Sequence, residues 1–102
     1  MSEAINLSEA TVFTLRGNVT IKVYSASIEV LSNLAPKLDE LQKLAKSKDL
    51  NTQMDLFLSV IFDLIKDDND VKQEDLKKYL TIEAGVKIMQ KALGSFGNLV
   101  TG

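Results

Sequence analysis

The chain has 102 residues, enough for one domain that buries roughly 65% of its unfolded surface and too few for two. Hydrophobic residues make up 45% and charged residues 25%, the balance of a folded protein and far from that of a disordered one. Twelve Lys and Arg against 14 Asp and Glu leave a net charge of -2, which argues against nucleic acid or an anionic membrane as partner. With neither Cys nor His, the chain has no disulfide framework, thiolate nucleophile, sulfur-ligated metal site or triad base.

Met1 to Ala10 is acidic and mixed, without the basic flank and apolar run of a secretory signal. We read residues 1–10 as a flexible segment, 11–94 as one helical domain with a β-hairpin, and 95–102 as a Gly-rich flexible tail on which Phe96 and Leu99 could dock. Val12 to Tyr24 forms two alternating, β-rich runs around Gly17 and Asn18. That pattern predicts a hairpin closed by a two-residue Gly-Asn loop, with Phe13 and Leu15 facing Val19, Ile21 and Val23.

Ser25 and Ser27 are candidate caps for the next helix, with Glu29 in its first turn. Ile28, Leu31, Leu34, Ala35, Leu38, Leu41, Leu44 and Ala45 then recur at helical spacing. Pro36 falls inside that run, so a kink is predicted there, or a break with Pro36 opening a new helix. Thr52 followed by Asp55 predicts a capped helix from Gln53 to Lys66. Its polar residues, Asp55, Ser59, Asp63 and Lys66, form one stripe, and apolar residues fill the rest. Such a helix must be wrapped on most sides, which makes it the candidate centre of the fold. Its apolar stretch, Met54 to Ile65, is far shorter than the ~20 residues of a membrane span.

The run Asp67 to Asp70 ends that helix, and Asp70 with Gln73 is placed to cap a short one carrying Leu76, Tyr79 and Leu80. Thr81 can cap a last helix whose seam reads Ile82, Val86, Met89, Leu93 and Phe96, with Gly94 placed to stop it. The fold expected is therefore α+β, mainly α, with the hairpin packed on a four- or five-helix bundle.

Residues that could carry chemistry have plainer readings. Asp55 and Asp63 lie two turns apart on one helix face, where a solvated stripe explains them better than an acid-base pair. From Asp67 the positions of a calcium loop fail, with Val71, Lys72 and Lys78 where oxygen ligands or Gly are needed. No glycine spacing builds a nucleotide cradle. The last two helices mimic a helix-turn-helix with Lys87, Gln90 and Lys91 outward, but no basic arm supports them. We therefore expect no catalytic, metal or cofactor residue, and a role in binding other proteins. An apolar groove beside the hairpin or the Pro36 helix could accept an amphipathic helix, or an open hairpin edge could accept a strand. Leu31, Leu34, Leu38 and Leu41 read first as intramolecular core.

The Gly17-Asn18 hairpin, the Leu-rich helix, the segment L-F-L-S-V-I-F-D-L-I-K-D-D-N-D-V-K-Q-E-D-L from Leu56 to Leu76, and the terminal helix pair opened by V-K-Q-E-D-L-K-K-Y-L resemble the tail assembly chaperones of long-tailed bacteriophages. The resemblance runs from Val12 to Leu93 and rests on size, element order and that segment. It implies a non-enzymatic protein of the infected host's cytoplasm, absent from the virion. Such a protein binds and solubilises the tape measure protein and helps the tail tube protein polymerise around it; self-association could use the same apolar groove. The family's frameshifted carboxy-terminal extensions would suit the Gly-rich end as a linker. Rival expectations are a small virion subunit, such as a tail completion or adaptor protein, and a DNA-binding regulator.

Overall fold

The computed structural model describes residues 10–46 and 49–94. Among them two strands and four helices follow in order: β1 (Thr11–Thr14), β2 (Thr20–Val23), α1 (Ile28–Leu44), α2 (Leu50–Ile65), α3 (Gln73–Tyr79) and α4 (Ile82–Leu93). The fold is α+β and mainly α, an amino-terminal antiparallel hairpin packed on four helices. The expected flexible segments, apart from Ala10, and the docking of Phe96 and Leu99 lie outside the described residues.

The hairpin corrects its predicted loop. Phe13 pairs with Ile21 and Thr14 with Thr20, and the Leu15 N–H donates to the Val19 carbonyl at 2.7 Å. The connection is thus Arg16, Gly17 and Asn18, three residues where two were expected. Side-chain alternation decides this, because a two-residue loop would set Phe13 opposite Lys22 and split the apolar set between two faces. The third residue keeps Phe13, Leu15, Val19 and Ile21 on one side, with Leu15, Ile21 and Val23 buried. Gly17 and Asn18 still take positive φ, 72° and 61°, as tight hairpin loops require. The Tyr79 ring lies over Gly17, where a Cβ would stand 2.8 Å from its Cε1 atom.

Two helices start where sequence placed their caps. Ser27 accepts from the Val30 N–H at 3.2 Å, and Thr81 accepts from the Ala84 N–H at 3.1 Å. The predicted break at Pro36 does not occur, since α1 runs unbroken from Ile28 to Leu44. Proline leaves the Ser32 carbonyl without its helical donor, but Ser32 and Pro36 are both exposed to water. Meanwhile Val30, Leu31 and Leu34 before Pro36, and Leu38 and Leu41 after it, hold the helix to the core. Ile28, expected on that face, is exposed.

The α2 cap lies one turn earlier than predicted. Asp49 holds the N-cap position, and its carboxylate accepts from the Thr52 N–H at 3.2 Å and hydroxyl at 2.6 Å. Asp55, freed from capping, faces Lys77 of α3 at 4.0 Å. The Thr52 hydroxyl is the leading cause that lowers the Asp49 pKa from 3.8, because these bonds favour the charged carboxylate.

Asp70 does not cap α3 either, as Lys72 occupies that position without a side-chain bond. Its neighbour Asn69 fixes the chain instead. The Asn69 amide accepts from the Lys22 N–H at 2.8 Å and donates to the Lys22 carbonyl at 2.8 Å and the Ile65 carbonyl at 2.9 Å. One side chain thus pairs with the outer edge of β2 and ties it to the end of α2, so residues 70–72 are spent crossing to α3.

The core runs from Leu15, Ile21 and Val23 of the hairpin region through Leu34 of α1 and Leu76 of α3 to Ile88, Met89, Ala92 and Leu93 of α4. At its centre stand Leu58, Val60, Ile61, Leu64 and Ile65 of α2, the helix that touches β2 and all three other helices. The buried face of α4 is rotated from the predicted seam and carries Gly85, Ile88 and Met89, leaving Val86 half-buried and Ile82 52% exposed. Gly85 explains the rotation. The Phe57 ring occupies the space where its Cβ would be, at 2.4 Å from that position.

Candidate functional site: an apolar cleft between three helices

Burial along α2 is unequal. Its second half is sealed, whereas Leu50 is 60% and Met54 42% exposed, so the expected wrapping fails over the first two turns. Leu50, Met54 and Phe57 fall at i, i+4 and i+7 and share one side of the helix. With Leu41 of α1, Ile82 of α4 and Gln53 they line an open cleft of about 300 Å³. The Gln53 amide donates to the Leu44 carbonyl, and the other five lining side chains are apolar. Exposure of several large apolar residues at one concave place marks a binding surface more often than scattered single ones do.

Position and cause are both clear. No hairpin residue lines the cleft, so it lies beside the Pro36 helix and not beside the hairpin. It exists because the Asp49 cap starts α2 at Leu50, a turn before the chain reaches its core segment. Leu50 and Ile82 were not singled out as surface residues from sequence. Reading Asp49 and Thr52 as the cap pair would have revealed the Leu50, Met54, Phe57 spacing.

The polar stripe of α2 is only partly wet. Asp63 keeps 23% side-chain exposure, between Lys37 of α1 and Lys66 at 3.4 Å, and the Lys37 ammonium also donates to the Ser59 hydroxyl at 2.8 Å. The stripe is thus an interhelical clamp at Ser59 and Asp63, and solvated at Asp55, which is 71% exposed. Leu31, Leu34, Leu38 and Leu41 pack as core, with Leu41 also reaching the cleft. Lys87 on the last helix pairs with Glu83 at 3.3 Å.

Among the described residues, no three Asp or Glu side chains converge in a way that could hold a metal ion, and no helix is long and apolar enough to cross a membrane. No family model, curated protein or solved structure matches the chain.

Proposed function

We propose that the protein is a non-enzymatic, protein-binding chaperone, and that its client is the tape measure protein of a long-tailed bacteriophage tail. The observation that carries the binding role is the cleft, where Leu50, Met54 and Ile82 stand exposed together at one concave place, whereas the other exposed large apolar residues among those described, Val12 and Ile28, lie outside it. Keeping those side chains in water is unfavourable unless a partner covers them. The client's identity comes from the resemblance of Val12 to Leu93 to tail assembly chaperones. A long, aggregation-prone client needs shielding, and a cleft lined by Leu and a pliable Met suits apolar side chains from more than one segment of it.

Co-expression with the tape measure protein from the same genome tests this reading. A soluble complex, where the tape measure protein alone precipitates, is the expected result, with its stoichiometry given by size exclusion and light scattering. Failure to rescue solubility removes the chaperone role. Recovery of the protein in purified particles would make it a virion subunit instead.

A further inference from the structure

We propose that the Asn69 side chain is an edge guard: it stands where a neighbouring strand would pair with β2, and without it β2 takes a strand from a second copy of this chain. The proposal concerns the hairpin and the crossing beside it, and does not rest on the chaperone reading.

The ladder fixes which groups of β2 face outward. The Leu15 N–H donates to the Val19 carbonyl, and Phe13 lies opposite Ile21 and Thr11 opposite Val23. Bonded and unbonded pairs alternate along an antiparallel ladder. Ile21 and Val23 therefore bond to β1, while Thr20 and Lys22 direct their N–H and C=O groups away from it. Such a row of outward groups is a template for another strand. At Lys22 both groups are already taken. The Asn69 carboxamide accepts from the Lys22 N–H and donates to the Lys22 carbonyl, each at 2.8 Å. That is the exchange of bonds which a paired residue on an adjacent strand makes. The second amide hydrogen goes to the Ile65 carbonyl at 2.9 Å, which fixes the orientation of the carboxamide.

The segment lying over this edge is lightly held. Asp67, Asp68, Asp70 and Lys72 are exposed, and of residues 67–72 only Val71 packs against the core. Among the described residues, Asn69 makes the hydrogen bonds between this crossing and β2. Its loss frees the edge and loosens the crossing that covers it.

The sequence of β2 fits a second copy of itself. Two such strands run antiparallel about Ile21 set Thr20 of each opposite Lys22 of the other, so every outward residue exchanges both of its bonds. The register about Lys22 is worse, since it sets like charges face to face. Pairing about Ile21 also leaves that residue on the side of the helices in both copies.

Asn69→Ala tests this in the full chain, by sedimentation velocity and by amide exchange, each over a concentration series. In the wild type, exchange at Lys22 should not depend on concentration. In Asn69→Ala the Lys22 amide should exchange faster when dilute and regain protection as concentration rises, while the average mass climbs toward about twice that of the wild type. Lys22→Pro in that background removes the outward N–H without touching a bond to β1, and should return the mass to the wild-type value. Ile65→Val loosens the core with Asn69 in place; as the control for general destabilisation it should not associate. Exchange at Lys22 that stays fast at every concentration, an unchanged mass, association that survives Lys22→Pro, or equal association of Ile65→Val would each overturn the proposal. Where Lys22→Pro unfolds the chain by circular dichroism, the concentration dependence of exchange at Lys22 decides alone.

Discussion

Replacing Gly85 with Ala sets two effects of similar size against each other, and the Phe57 ring decides between them. A Cβ at Gly85 would lie 2.4 Å from Phe57 Cε2 and 2.5 Å from Cζ, and the three nearest atoms all belong to that ring. Ordinary carbon contact begins near 3.5 Å, so the ring must retreat by about 1 Å. Overpacking of this kind costs ~1–3 kcal/mol, while Gly to Ala inside a helix returns ~1 kcal/mol. Gly85→Ala should therefore destabilise the parent by about 0–2 kcal/mol. In a Phe57→Ala background the obstacle is gone, and the same change should stabilise by up to ~1 kcal/mol. Urea denaturation followed by circular dichroism on all four proteins gives the coupling energy, expected at ~1–3 kcal/mol. An effect of Gly85→Ala that agrees within ~0.5 kcal/mol in both backgrounds would refute the packing argument.

Asn69→Ala removes the bonds to Lys22 and Ile65 and should cost ~1–3 kcal/mol; faster amide exchange at Lys22 is the specific readout, and unchanged exchange would show that β2 does not depend on this anchor. Pro36→Ala lies at an exposed position inside a continuous helix and should stabilise by ~1–3 kcal/mol in a thermal melt; a loss would mean that α1 needs the proline geometry. Ile61→Asp puts a charge at a fully buried position and should abolish the cooperative transition, whereas a native-like melt would move α2 out of the core. The Asp49 pKa is lower in the folded chain than the ordinary 3.8, so its cap contributes above that value and is lost as pH falls through the folded pKa. Asp49→Asn should flatten that part of an acid stability curve, and an unaltered curve would show that the Asp49 charge does not matter.

Local chemistry was legible in the sequence. Positive φ at Gly17 and Asn18, the Ser27 and Thr81 caps, the stop at Gly94 and the central place of the second half of α2, Leu58 to Ile65, follow from short-range sterics, hydrogen bonding and hydrophobic spacing. Those causes act within a few residues and can be read without knowing the neighbours. Where two local signals competed, the nearer one misled: the Thr52 and Asp55 spacing predicts a cap that Asp49 makes instead, and the Gly-Asn pair predicts a two-residue loop that the apolar alternation beside it overrides.

Tertiary packing decided the rest. The hairpin took a third loop residue because one sheet face had to meet the helices, and α1 stayed whole through Pro36 because both of its halves are anchored to the core. The Phe57 ring in the gap at Gly85 set the rotation of α4, which left Ile82 beside Leu50 and Met54. That meeting makes the cleft, and its parts come from three separate helices. Helical spacing fixes which residues of one helix share a side, but the packing between helices determines which sides are covered and which stay open to a partner.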